Sequence, residues 1–369
     1  MTQLARHPDI DRALAAGAVI SYSVSGGKDS DALVLACERE LRGHPGPRTL
    51  IHSDLGRIEW QESLSQCERL ADKVGLDLIV VRRTAGGMIE RWQQRWSSSV
   101  RRYAGLETVS LILPWSTPAM RFCTSELKTS IICRELVRRF PGQTIINALG
   151  IRAEESASRA VALICKEQPL LSSRTRQTSG YTWLPIHHWS IDQVWAIHEE
   201  AQFAPHVAYT QHGMSRVSCS FCIMATEADL QRSATVAQHQ GIYQELVDLE
   251  IASTFAFQGG RWLGDVAPHL LRSDQRDALD AARERAQRRQ RAEARIPAHL
   301  RFDGAGWPRV MPTPTEAAML AEVRCEVARA VGIAIDFQTA ESILARYDAL
   351  MEQRGQRAAR VTVQEAMAL

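Results

Sequence analysis

Long apolar runs are missing from this 369-residue sequence, and nowhere does it offer the roughly 20 apolar residues needed to cross a bilayer as a helix. No membrane partner is expected. The opening residues, MTQLARHPDIDRALAAGAV, lack the apolar core of a secretory leader, so the expected location is the cytoplasm. Cysteine is scarce: eight, scattered along the chain, cannot make a disulfide scaffold and leave metal or redox use for some of them. Charge of one sign is absent too, since a net charge of +2 carries no overall nucleic-acid signature. Two phosphate-loop signatures also fail to appear. Tyr22 stands where a Walker A loop would need its first glycine before Gly27-Lys28, and no G-x-G-x-x-G occurs. The remaining balance, 45% hydrophobic and 23% charged, is that of a folded globular chain.

What is present is concentrated in one place. Ala18-Val19-Ile20-Ser21-Tyr22-Ser23-Val24 reads as a buried strand. It runs into Ser25-Gly26-Gly27-Lys28-Asp29-Ser30, after which Ala32, Leu33, Ala36 and Cys37 follow helical spacing. The two glycines thus fall at a strand-to-helix turn, where the chain needs free φ and a ligand can approach the backbone. Successive N–H groups at the positive end of a helix form a cradle for phosphate oxygens. The bland alternative is a solvated lysine on a plain Gly-Gly turn; six residues of this kind at this junction favour the phosphate site.

Strands and helices alternate as far as about residue 260. Residues 49–52 form a strand ending in Ser53-Asp54-Leu55-Gly56, residues 59–74 a helix, and residues 78–81 a third strand. Residues 88–103 and 125–140 are helical, and 144–149 is a further strand. This alternation predicts a doubly wound, mainly parallel α/β sheet with ligands at the carboxyl ends of its strands. Both the glycine turn and the Asp54 loop fall at such ends. Past Gly264 the character changes: residues 272–295 interleave eight arginines with five acids, a mixed-charge helical face. A Pro- and Gly-rich link over 297–314 precedes two amphipathic helices within 315–354. Two regions are expected, 1–264 as a nucleotide-binding catalytic domain with a cysteine site and 265–369 as a mostly helical C-terminal appendage.

Cys219-Ser220-Phe221-Cys222 brings two thiols to one turn, a pattern suited to zinc, an iron–sulfur cluster or redox exchange. Cys123 stands at the start of a predicted helix, where the macrodipole favours a thiolate. Cys133 lies among Ile131, Ile132, Leu136 and Val137 and reads as core, with a fourth-ligand role as the alternative. Cys37, Cys67, Cys165 and Cys325 read as small buried hydrophobes. His52 reads as core. His187 and His188, adjacent in an extended segment, face opposite ways and suit a structural or substrate-lining role better than a metal. Glu90-Arg91-Trp92-Gln93-Gln94-Arg95-Trp96 with Arg101-Arg102-Tyr103 interleaves arginines and aromatics as a nucleic-acid surface would. A helix that buries its tryptophans fits the same residues.

Taken in order, the segments Ser25 to Ser30, His52-Ser53-Asp54-Leu55-Gly56 with Glu62, and Arg121-Phe122-Cys123 with Lys128 form a set. Ala148-Leu149-Gly150-Ile151-Arg152-Ala153-Glu154-Glu155 with Arg159, then Leu184-Pro185-Ile186-His187-His188-Trp189-Ser190 with Asp192, Val194 and Trp195, continue it. Tyr209, Gly213, Cys219 and Cys222 close it. This set resembles the phosphoadenylyl-sulfate (PAPS) reductase superfamily and its PP-loop ATP pyrophosphatase relatives, over about residues 18–225. Two departures matter. Phe122-Cys123 stands where cluster-containing adenylyl-sulfate reductases carry two adjacent cysteines, and the late Cys325 lacks the glycine and histidine of the reductases' E-C-G-(L/I)-H tail. In character the chain is more similar to the Dnd-type DNA phosphorothioation sulfurtransferase branch.

The resemblance implies an adenine nucleotide alpha hydrolase-like fold that takes ATP with Mg²⁺. Ser25, Gly26, Gly27 and Ser30 would cradle the β,γ-phosphates, and Lys28, Arg152 and Arg159 would neutralise the leaving pyrophosphate. Asp29 would hold Mg²⁺, and Asp54 with Gly56 would shape the nucleoside pocket. Lys28, Asp29 and Arg152 are the candidate catalytic residues. Cys123, Cys219 and Cys222 resemble the three thiolates that hold a [4Fe–4S] cluster in tRNA-thiolating relatives, with zinc as the alternative. The implied activity is an ATP-dependent adenylating sulfurtransferase, with a donor of the cysteine desulfurase type and DNA or RNA as acceptor. A sulfonucleotide reductase, or a nucleotide-binding module with structural zinc, are the alternatives.

Overall fold

The computed structural model describes residues 3–304 and 306–366, with side chains as far as residue 356. The chain forms two compact units, Met1–Glu90 with Ser116–Ile242, and Arg91–Trp115 with Tyr243–Leu369. This division at 242 lies ahead of the compositional change near 264, and residues 91–115 group with the second unit. Among the described residues no helix is long and apolar enough to cross a membrane.

In chain order the elements to residue 253 are α1 (Pro8–Ala15), β1 (Val19–Val24), α2 (Lys28–Glu40), β2 (Arg48–Asp54), α3 (Glu62–Val74), β3 (Leu78–Arg82) and α4 (Met88–Ala104). They continue with α5 (Phe122–Thr124), α6 (Ser130–Arg139), β4 (Thr144–Leu149), α7 (Ala157–Ala160), β5 (Cys165–Glu167) and β6 (Ser179–Trp183). The last are α8 (Ile191–Glu200), α9 (Val207–Thr210), α10 (Glu227–Ala234) and α11 (Gln240–Ser253). The sheet runs β3-β2-β1-β4-β6-β5, parallel throughout except where β5 pairs antiparallel with β6. This is the expected doubly wound α/β architecture, with a helical C-terminal region.

Strand period two builds both faces. Ile20, Tyr22 and Val24 join one apolar cluster with Leu50, Ile146 and Ala148, while Val19, Ile51, Ile79 and Ile145 join the other. Helix α2 is enclosed on all sides, with Ala32 to Cys37 all buried. The chain steps outward from β1 to β2 and β3, then returns to place β4 on the other side of β1. The crevice between β1 and β4 is therefore the point where the winding reverses, the place such sheets bind ligands.

Two strands escape the periodicity. β5 has three residues, and β6 contains Gly180, where a Cβ would lie 2.5 Å from Ile145 O. A glycine demanded by close strand packing reads in sequence as a breaker. The helix expected over 125–140 is found as α5 and α6 joined by a π-helical turn, Ser125–Thr129. Such a turn frees a carbonyl, and Ser53 Oγ donates to Leu127 O.

The second unit contains α12 (Ser273–Ala294), α13 (Pro314–Val331) and α14 (Ala340–Ala366). Trp92 on α4 is buried, with ring centroids 5.4 Å from Trp115 and 5.9 Å from Phe257, while Trp96 packs against Phe255. The tryptophans of α4 thus serve packing, not an open stacking surface. Cys37, Cys67, Cys133 and Cys165 are buried as expected, but Cys325 is partly exposed at the edge of the α13 cluster.

Candidate active site

Everything described next lies in the first unit. The chain leaves β1 at Val24 and turns through Gly26 at φ +72°, a left-handed conformation that glycine adopts without strain. Ser63 O would stand 3.0 Å from a Cβ there, so the turn is also too tight for one. Gly27 caps α2 without a side chain, and the first-turn N–H groups of a helix lack intrahelical partners. Ser30 closes the loop: its Oγ donates to Gly27 O at 2.8 Å and accepts from Ser25 N at 3.3 Å.

Lys28 is buried and tied at each polar end. Its N–H donates to Tyr209 Oη at 3.1 Å, its carbonyl accepts from His198 Nε2 at 2.9 Å, and Nζ donates to Ser215 O at 3.4 Å. Tyr209 Oη also accepts from Val217 N at 3.0 Å, so one hydroxyl joins the loop to the segment that carries the CxxC pair. Below the loop, the fully buried Asp31 accepts from Gln66 Nε2 at 2.9 Å and from Ser30 Oγ at 3.3 Å. Burial pushes the Asp31 carboxyl up to about 7, against those hydrogen bonds.

From the neighbouring strand, β4 delivers Gly150 and Arg152. A Cβ on Gly150 would stand 2.6 Å from Asp29 O, so only glycine lets the end of β4 approach the first turn of α2 this closely. Arg152 is 4% exposed and donates from Nε to Asp29 Oδ1 at 2.6 Å, while Lys28 Nζ stands 3.2 Å from Asp29 Oδ2. Burial opposes the Arg152 charge, but Glu154 and Asp29 hold its pKa above the usual value. Both Asp29 oxygens therefore face cations, and a Mg²⁺ role for Asp29 requires one of them to let go. Arg159 instead pairs with Glu155, and its carbonyl accepts from His187 Nε2 at 2.9 Å. His187 is buried and His188 exposed, as their alternation suggested.

At the end of β2, Asp54 Oδ1 accepts from Gly56 N at 2.6 Å, and Oδ2 accepts from Arg82 Nε at 2.9 Å. Gly56 takes φ +79°. His52 is buried, and its ring nitrogens face Val24 O at 3.1 Å and Glu59 Oε2 at 3.2 Å. Burial opposes its charge, but Cys67 and Glu59 push its pKa up to about 10.

Cys219 and Cys222 sit on a loop anchored by Ser220, whose N–H and Oγ both donate to Ile58 O. Cys222 Sγ accepts from Met224 N at 3.4 Å and from Arg216 Nη2 at 3.6 Å, contacts that suit a thiolate. Burial pushes the Cys219 thiol well up and the charges of Cys222, Glu59 and Cys123 add to this, while Lys128 pulls it down. Cys219 thus feels the charge of both Cys222 and Cys123. The three cysteines do not form a three-donor set within 4.8 Å; among the described residues that arrangement occurs at His7, Asp9 and Cys165. A lone zinc held by three thiolates would need sulfurs roughly 3.8 Å apart. Cys133, on α6, packs in an apolar cluster with Ile132 and Leu136.

The phosphoadenosine phosphosulfate reductase domain model matches residues 19–225, which is 207 of the 369 residues. The chain belongs to this family. No curated protein matches it. The reductase-domain match spans the turn after β1, the ends of β2 and β4 and the CxxC pair, and it ends just past Cys222. Within the family's domain, sequence reasoning gave no role to Tyr209, His198, Asp31 or Gln66. Asp31 follows the SGGKDS run directly and could have been singled out; the partnership of Tyr209 with Lys28 bridges 181 positions and leaves no local trace.

Proposed function

We propose that this chain is an ATP-dependent adenylating sulfurtransferase of the PP-loop type, acting through the region up to residue 264. The disposition of the cysteines carries the reading. Cys325, the only cysteine after Cys222, is built into α13 with its sulfur 4.0 Å from Gln338 O. It is a helix residue and not a thiol on a free tail, whereas Cys219 senses the charges of Cys222, Cys123 and Lys128, which supports a shared site for the three cysteines.

In this reading an acceptor oxygen attacks the α-phosphorus of ATP, the bond to the β-phosphate oxygen breaks, and pyrophosphate leaves. The backbone of Ser25 to Ser30 holds the departing phosphates. Lys28 and Arg152, kept in place by Asp29, offset the charge that builds on them. Asp54 and Gly56 bound the nucleoside side at the end of β2. Arg159 is assigned to the outer phosphates once released from Glu155. Mg²⁺ would enter with the nucleotide, sharing one Asp29 oxygen. A [4Fe–4S] cluster held by Cys123, Cys219 and Cys222 would supply the sulfur, loaded by a cysteine desulfurase-type donor, for a DNA or RNA acceptor.

The test is iron and acid-labile sulfide analysis of protein purified without oxygen, with pyrophosphate release measured alongside. About four irons and four sulfides per chain, lost in Cys123→Ala and Cys222→Ala, are expected. Zinc without sulfide, or no metal, would overturn the cluster assignment. The family match favours a second reading, a sulfonucleotide reductase. Sulfite formed from a sulfonucleotide, without pyrophosphate from ATP, would establish that reading instead.

A further inference from the structure

We propose that His7, Asp9 and Cys165 form a second metal site, taking a zinc-class divalent cation at the outer edge of the sheet. One donor atom from each lies within 4.8 Å of the other two. His7 Nδ1 and Asp9 Oδ2 stand 3.6 Å apart. Tetrahedral bonds of about 2.0–2.3 Å put neighbouring donors roughly 3.5 Å apart, so a small closure completes the set.

The chemistry of the donors selects the ion. Imidazole nitrogen, carboxylate oxygen and thiolate sulfur suit Zn²⁺ or Co²⁺, whereas Mg²⁺ and Ca²⁺ take oxygen donors. The Asp9 carboxylate and the Cys165 thiolate together balance a divalent charge. On binding, the thiol proton leaves to water, so uptake releases protons. Three protein donors leave the fourth position to water.

The fold prepares the place. His7 is the N-cap of α1, and its Nδ1 accepts from Asp9 N at 3.3 Å, a long contact that holds the lone pair loosely. Cys165 is 8% exposed at the start of β5, in register with Trp183. The arm before α1 is already laid along this edge: Ala5 N donates to Pro185 O at 2.7 Å, and Trp183 Nε1 donates to Ala5 O at 2.9 Å. The charged neighbours are Arg12, which pairs with Asp9, Arg6, which pairs with Asp11, and Glu167 on β5. The Arg12 side chain is 78% exposed and yields its place readily to a cation. His7 and Asp9 precede the matched family domain, which starts at residue 19, whereas Cys165 lies within it. A bound ion would staple the N-terminal segment to the edge strand.

The experiment strips the full-length chain with a chelator and titrates it with Zn²⁺ and Co²⁺, comparing wild type with Cys165→Ser, His7→Ala and Cys219→Ser. One equivalent is expected to disappear in Cys165→Ser and in His7→Ala, with loss of a thiolate-to-cobalt absorption that Cys219→Ser retains. Zn²⁺ should raise the melting temperature of wild type more than that of His7→Ala, a variant at a partly exposed cap position that tests the site even if Cys165→Ser folds poorly. Equal stoichiometry and equal cobalt spectra in wild type, His7→Ala and Cys165→Ser would overturn the site, whatever becomes of the proposed activity.

Discussion

Lys28 is held at its N–H, its carbonyl and its ammonium by Tyr209, His198 and Ser215, whereas Cys123, Cys219 and Cys222 converge from two separate segments without forming a three-donor set. The difference follows from what each part must hold. A phosphate cradle is made of backbone N–H groups, which the strand-helix turn and its hydrogen bonds set in place before any ligand arrives. Thiolates repel one another, and burial raises the cost of their charge, so they close fully only around a cation. On the proposed reading, one part of the site is pre-organised and the other is completed by what it binds.

The comparison breaks first at Lys28. Lys28→Ala should lower pyrophosphate release by about 10²–10³-fold, while the iron content of anaerobically purified protein stays at the wild-type level. If iron falls with activity, the two parts are not built independently.

Next in size is a pH effect centred on His206, the N-cap of α9, the helix that carries Tyr209. His206 is buried, its Nδ1 accepts from Ala208 N at 3.0 Å, and burial pulls its pKa down to about 4. Burial lowers His239 as well. With the folded value depressed, the unfolded chain binds the extra proton first. Stability is then complete above about pH 6.5 and declines as the pH falls toward 4, by up to about 3 kcal/mol for His206. Urea midpoints at neutral pH and near pH 4.5 should show the decline in wild type and a flatter profile in His206→Gln. A profile of the same steepness in the variant would reject His206 as the source.

Gly150→Ala should cost about 1–3 kcal/mol, because its Cβ would meet the backbone oxygen of Asp29, in the first turn of α2, at 2.6 Å. The loss should appear as a lower melting temperature and a weaker nucleotide KM, with metal content kept. Tyr209→Phe is the smallest and the most informative change. It removes the hydroxyl that receives both Lys28 N and Val217 N, at a cost of about 1–2 kcal/mol. Since this hydroxyl joins the cradle to the cysteine segment, nucleotide KM and iron retention should shift together. A shift in one alone would show that the join is unimportant.

Much of this site was legible from residue order. The SGGKDS turn, the Asp54 turn and the strand before Gly150 are local patterns, set by φ freedom, period two and helix starts within a few residues. The same locality hid other features. The strand β6, which contains Gly180, was not marked by any pattern, and the π-helical turn at Ser125–Thr129 is invisible to a helical pattern that continues on both sides of it. The tryptophans of α4 carried an ambiguous pattern that the packing of Trp92 against Trp115 and Phe257, and of Trp96 against Phe255, resolved.

By itself, then, the sequence determined the doubly wound class, four of the six strands and the strand-to-helix turn at Ser25 to Ser30, because each depends on neighbours in the chain. Only the tertiary structure decided that Asp29 faces two cations, that Tyr209 ties the loop to the cysteine segment, and that His7 and Asp9 meet Cys165. Each of these arrangements draws in a residue more than a hundred positions away: Arg152 for Asp29, Lys28 for Tyr209, and Cys165 for His7 and Asp9. Their geometry is set by how the strands and loops close on one another, which no local pattern encodes.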